Sequence, residues 1–180
     1  MSIPYFSLGE SGLPLHFLHA NGYPPVCYLP LITRLSEHYQ VISMHQRPLW
    51  PDSRPEEITD WQPLTDDFLS FLDEHQTGAS IVVGHSLGGI VTLRAALRQP
   101  EHFRALVLID PVLFPPRVIF LMRLIRAFGL SYRLHPLASG TLHRRRVFNN
   151  RDLQSKSYRH KPIFRYMNDT NLKTYVDGLT

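Results

Sequence analysis

A chain of 180 residues that is 43% hydrophobic and 19% charged is long and apolar enough to bury one sizeable core, which excludes the disordered and fibrous classes. Met1-Ser2-Ile3-Pro4-Tyr5 shows no secretory pattern and Cys27 is the only cysteine, so we expect a cytoplasmic protein without a disulfide framework, zinc site or structural metal. The net charge of +4 conceals a split: residues 1–111 hold 6 Lys/Arg and 12 Asp/Glu, whereas residues 112–180 hold 13 and 3.

From the start to Asp110, short apolar runs alternate with longer amphipathic ones, as in a mostly parallel α/β sheet with crossover helices. The predicted elements, in chain order, are a strand at Tyr5–Leu8, a strand at Leu15–His19, a helix at Val26–Glu37 and a strand at Val41–Met44. A helix at Pro63–His75, a strand at Ser80–Val83, a helix at Gly89–Arg98 ended by Pro100, and a strand at Ala105–Ile109 follow. The last two strands are continuous apolar runs, which predicts cover on both faces. After Asp110 the alternation stops. Pro111, Pro115 and Pro116 lead into a helix at Val118–Phe128, too short and too interrupted by arginine to span a bilayer. The basic stretch His143–Lys161 and the polar Tyr166–Leu179 read as further helices. The chain therefore divides into an α/β core, residues 1–111, and a helical region, residues 112–180.

Gly84-His85-Ser86-Leu87-Gly88 matches G-x-S-x-G and stands between an apolar strand and a helix, the context that motif requires. A nucleophilic serine must sit on a sharp strand-to-helix turn, and side chains at Gly84 and Gly88 would strike the neighbouring strand and helix. The turn also puts Ser86 at a helix N-terminus, where the Leu87 N–H would face negative charge developing on a tetrahedral intermediate. A phosphate-binding loop is excluded because no Lys-Ser/Thr follows the glycines, and G-x-G-x-x-G is absent from the early strand–helix junctions. The second donor should come from the loop after an earlier strand, and His19-Ala20-Asn21-Gly22-Tyr23-Pro24-Pro25 follows the run Leu15–Leu18.

Together, His19-Ala20-Asn21-Gly22, Gly84-His85-Ser86-Leu87-Gly88-Gly89 and Leu106-Val107-Leu108-Ile109-Asp110-Pro111 resemble the α/β-hydrolase superfamily, in its esterase-, lipase- and C–C-hydrolase-like branch. The resemblance covers residues 3–111 and implies that residues 112–180 form the cap or lid. It implies that a backbone N–H at Ala20 or Asn21 completes the oxyanion hole, that His19 is structural, and that His85 supports the turn. Two features depart from the family. His45-Gln46-Arg47-Pro48 stands where many members carry Asp-x-Arg-Gly, which implies a remodelled loop. The acid and histidine of the triad normally follow the lid, yet nothing after Lys161 reads as another strand, so we expect a C-terminally truncated sequence whose catalytic histidine lies beyond Thr180. Asp110, at a strand end, is a candidate acid. His135, His143 and His160 fall in the lid-like part without a strand to hold them and read as surface residues.

The expected function is hydrolysis of an ester or related acyl bond of a small-molecule substrate, with no cofactor implied. Lacking an imidazole base, Ser86 alone predicts little turnover, with a residual acceleration of about 10³–10⁴ from the oxyanion hole and binding. Two alternatives stay open: an inactive binding or scaffold protein that keeps the elbow as architecture, and acyl-transfer or lyase chemistry on the same fold. Val118–Phe128, edged by Arg117, Arg123 and Arg126, fits either the wall of a pocket for a hydrophobic substrate or a cap helix burying one face on the sheet. No motif for nucleic acid accompanies the basic stretch, which reads as a solvated helix face. If the 180 residues are all there is, a sheet that ends at residue 109 predicts an exposed edge, uncovered apolar surface and either poor solubility or pairing with another chain.

Overall fold

Glycines, prolines and polar turns cut the first 109 residues into five strands: β1 (Tyr5–Leu8), β2 (Leu13–Leu18), β3 (Tyr39–Met44), β4 (Ser80–His85) and β5 (Phe103–Ile109). The structure, a computed structural model, describes residues 2–54, 57–58, 60–75, 77–127 and 150–179. The strands form one sheet in the order β1-β3-β2-β4-β5, with β1 antiparallel to β3 and every other pair parallel. Crossover helices α1 (Leu29–Ser36), α2 (Gln62–His75) and α3 (Leu87–Arg98) connect the parallel strands.

The period-two alternation of β2 shows how the layers are made. Leu15 and Phe17 point into a core with Ile32 of α1, Val41 and Val83, while Leu18 points into the other, with Leu64, Phe68 and Leu72 of α2 and Ile90 and Val91 of α3. Both faces of β2 are therefore buried, and the strand is fixed rigidly beside β4 in a register that pairs Leu18 with Gly84. That pairing places the loop after β2 and the turn after β4 side by side at the carboxyl ends of the parallel strands, where ligands of open α/β sheets bind.

The structure corrects three expectations. The predicted helix Val26–Glu37 begins as a 3-10 turn over Pro25–Tyr28 and becomes α1 only at Leu29, since Pro30 is accommodated at the start of a helix and not inside one. β5 is not covered on both faces. Among the described residues it is an edge strand paired only with β4, and Leu106, Val107 and Ile109 are 37%, 48% and 40% exposed. Helix α4 (Pro116–Ala127) does not bury its apolar residues on the sheet: Ile119, Phe120, Leu121 and Leu124 are all exposed. Purified alone, the chain is therefore expected to self-associate at micromolar concentration, because an open strand edge beside apolar surface templates pairing. Sedimentation velocity showing a monomer across that range would refute this.

Two further helices, α5 (Arg151–Arg159) and α6 (Asp169–Asp177), close on Tyr158, Phe164, Leu172 and Val176. The Asn168 side chain caps α6 by accepting from the Asn171 N–H at 2.8 Å. The pair docks on the 3-10 turn after the β2 loop: Tyr175 stacks on Tyr23 with ring centroids 5.7 Å apart, and Cys27 Sγ donates to the Tyr175 carbonyl at 3.6 Å. Cys27 is buried there, and burial pushes its thiol up to about 11. Among the described residues no helix is long and apolar enough to cross a membrane, and no group of three or more His, Cys, Asp or Glu could hold a metal ion.

Candidate active site

Ser86 sits between β4 and α3 with φ 52° and ψ −111°, a conformation L-residues adopt only under constraint, at a cost of about 1–3 kcal/mol. Close backbone packing imposes it. The Ser86 N–H donates to the Ile109 carbonyl at 2.9 Å, and its own carbonyl accepts from Gly89, Ile90 and Val112 at 3.0, 3.2 and 3.3 Å. A Cβ on Gly84 would come within 2.5 Å of the Gly88 carbonyl oxygen, and one on Gly88 within 2.2 Å of the Leu18 carbonyl oxygen. The predicted steric need for glycine thus has identified partners: the helix for Gly84, the end of β2 for Gly88. The Ser86 hydroxyl makes no hydrogen bond to an imidazole among the described residues. Leu87 opens α3, where no preceding turn supplies an acceptor for its N–H.

The loop after β2 is held from beneath. His19 is buried, its Nδ1 donates to the Ala20 carbonyl at 2.8 Å, and its Nε2 accepts from the Gln46 N–H at 3.0 Å. The Gln46 amide donates in turn to the His19 carbonyl. Both imidazole nitrogens are engaged in the neutral form, and burial holds the His19 pKa down to about 4. His16, equally buried with Nε2 3.0 Å from the Thr77 hydroxyl, is also held to about 4, by burial and then by His75. These histidines take up protons more readily in the unfolded chain, near pH 6.5, than in the folded one. Stability is therefore full above about pH 6.5 and falls as the pH drops towards 4, by up to about 1.4 kcal/mol per histidine per pH unit. Urea midpoints at pH 7 and pH 5 check this; equal midpoints would contradict it.

Ala20, left as one of two alternatives by the sequence, has its N–H committed: it donates to the Tyr28 hydroxyl at 3.1 Å. That hydroxyl lies 2.8 Å from His85 Nδ1. The Asn21 N–H makes no hydrogen bond among the described residues, and Asn21 is exposed. Asn21 and Leu87 line one cleft of about 340 Å³, walled otherwise by Pro48, Ser53, Ile58, Trp61 and Leu64, with Trp61 stacked on Phe114 at 6.3 Å. The loop carrying Pro48 contains His45-Gln46-Arg47-Pro48. Its Gln46 supports His19, and its Arg47 clasps Asp67 of α2 with Nε–Oδ2 and Nη2–Oδ1 distances of 2.8 and 2.5 Å, lying over Trp50.

Residues 17–176 match the family described as the Alpha/beta hydrolase family. The chain belongs to this family. As a member of the α/β-hydrolase family it is 31% identical over 100 residues to 2-(acetamidomethylene)succinate hydrolase from Mesorhizobium japonicum, covering 56% of this chain and 36% of that protein. It is 38% identical over 64 residues to ethanol acetyltransferase 1 of Hanseniaspora uvarum, covering 34% of this chain and 19% of that protein. Among solved structures, the epoxide hydrolase VrEH1 from Vigna radiata matches with a TM-score of 0.66 at 18% identity, over 97% of this chain and 61% of that one. The chain thus spans less than two thirds of the length of each of these relatives.

The remaining predicted residues of this α/β hydrolase are scattered. Asp110 is exposed at the end of β5 with φ 42°, and its charge raises the His85 pKa against the larger lowering by burial, but among the described residues no imidazole hydrogen-bonds to its carboxylate. His160 is exposed on the helical pair. His135 and His143 lie outside the described residues. Sequence reasoning missed Tyr28: 57 residues separate it from His85, and no local pattern connects them.

Proposed function

We infer that the protein is a serine hydrolase acting on an ester or related acyl bond, with Ser86 as nucleophile and the Leu87 and Asn21 amides as oxyanion donors. The observation that carries this reading is the strained Ser86 at the head of α3, beside a loop whose Ala20 N–H is taken and whose Asn21 N–H is not. Strain of this kind persists where surrounding structure over-determines it, and it gathers at functional sites. The carbonyl oxygen of a bound acyl group, turned towards Leu87 and Asn21, would become tetrahedral as Ser86 Oγ attacks, and its negative charge would meet fixed N–H dipoles that need no reorganisation. The cleft lining is uncharged among the described residues, which suits a small, apolar acyl group.

His85 is not the base in this reading, because its Nδ1 faces Tyr28. The acid and the imidazole are assigned to sequence following residue 180, and Asp110 enters only as a carboxylate beside the elbow. Residues 112–180 act as the cap. The intact mass of the protein from its source tests that assignment against the 20.8 kDa of this chain, a heavier species supporting it. Acyl transfer shares the same first step and is favoured as the second reading by the relative named as an acetyltransferase. Partitioning of an acyl donor between water and added alcohol separates the two. The test of the nucleophile is a fluorophosphonate probe followed by peptide mapping, with Ser86 as the labelled residue. A folded, full-length protein that resists the probe would leave the elbow as inherited architecture in a binding protein.

A further inference from the structure

The geometry points to Tyr28 as a positioning residue whose hydroxyl ties the β2 loop to the nucleophile elbow and so sets the separation of the two oxyanion donors. This inference rests on the hydrolase reading above. Tyr28 ends the 3-10 turn after the loop, and its ring packs on Phe17 of β2 with centroids 4.8 Å apart. From that seat its oxygen accepts the Ala20 N–H at 3.1 Å and meets His85 Nδ1 at 2.8 Å, the residue next to Ser86. With one lone pair taken by Ala20, the hydroxyl is satisfied by donating its proton to Nδ1. Burial favours that arrangement, holding the Tyr28 proton on by pushing its pKa up to about 12 and keeping His85 neutral by lowering its own. The residue after Ala20 bears one inferred donor, and the residue two after His85 bears the other. One hydroxyl thus spans both arms of the oxyanion hole without touching the substrate.

Bridging also explains why Ala20 cannot itself be a donor. A buried N–H that already has an acceptor would have to break that bond to reach an oxyanion, whereas Asn21 need break nothing.

Tyr28→Phe keeps the ring and removes the bridge. The maximal rate of Ser86 phosphonylation is expected to fall about tenfold, less than the roughly 10²–10³ lost when an oxyanion donor is deleted, with the half-saturating probe concentration unchanged. His85→Ala should cost a similar factor, and the double variant about tenfold in all, not a hundredfold, because both remove one bridge. Amide exchange in the unaltered chain gives a readout that needs no variant: the Ala20 N–H should be protected and the Asn21 N–H should exchange freely. A Tyr28→Phe protein labelled at the unaltered rate, multiplicative losses in the double variant, or an unprotected Ala20 amide would each overturn the inference while leaving the hydrolase reading intact. An unaltered full-length protein that is never labelled, with its Ala20 amide protected, would overturn the hydrolase reading, and the positioning role with it.

Discussion

In the full-length protein, Ser86→Ala is expected to reduce fluorophosphonate labelling and any ester turnover by about 10³-fold or more, to the background of other nucleophiles, while leaving the melting temperature where it was. The two outcomes separate because alanine keeps the Cβ that makes φ 52° costly: the chemistry is removed and the strain is not. Ser86→Gly should be equally unreactive and yet more stable. Relief of about 1–3 kcal/mol of backbone strain outweighs the roughly 0.5–1 kcal/mol by which glycine loosens the unfolded chain. For a domain of this size each kcal/mol moves Tm by about 2–4 °C, so a rise of a few degrees is the expected signature. A nucleophile held in a strained turn is the kind of site at which stability is exchanged for activity. If Ser86→Gly melts below Ser86→Ala, the backbone is not strained there, and the elbow loses its claim to functional shaping.

Gly88→Ala is expected to lower stability by about 3 kcal/mol or more, with a matching loss of soluble protein. The added Cβ would lie 2.2 Å from the Leu18 carbonyl oxygen and 2.6 Å from its carbon, and neither can yield. Both are backbone atoms of β2, and buried side chains pack against each face of that strand. Gly22→Ala is the control. Gly22 has φ +73° and nothing within 4 Å of the position its Cβ would take, so only the conformational penalty of about 1–2 kcal/mol applies. Denaturant midpoints rank the two variants, and a Gly88→Ala protein within 1 kcal/mol of the parent would mean that the helix stands further from β2 than this fold requires. In the proposed mechanism the same contact matters for chemistry, because pushing α3 away from the end of β2 would part the Leu87 amide from the loop after β2.

The strands and the first three helices were legible in the sequence because each rests on local rules: apolar runs of strand length, helical periodicity, and glycine or proline at the ends. The elbow was legible for a sharper reason. A serine on a strained strand-to-helix turn tolerates almost nothing but glycine at Gly84 and Gly88, so the backbone geometry is written in residue types four positions apart. His19 was legible as structural, although its partner Gln46, 27 residues away, was not. The open edge at β5 was legible from a sheet that ends at residue 109, whereas the exposure of α4 escaped because an apolar run records what a segment is able to bury, not which neighbours reach it.

The sequence by itself therefore determined the α/β sheet and the strained serine turn that follows β4, both of which follow from chemistry among near neighbours in the chain. Only the tertiary structure distinguished the Ala20 amide from that of Asn21, because the hydroxyl that accepts the Ala20 N–H comes from Tyr28, a residue outside the loop. It also brought His85 to Tyr28 and set Pro48, Trp61 and Leu87 around one cleft. Those residues stand far apart in the chain and carry no mutual signal until the packing of β2 against β4 brings their loops to the same end of the sheet.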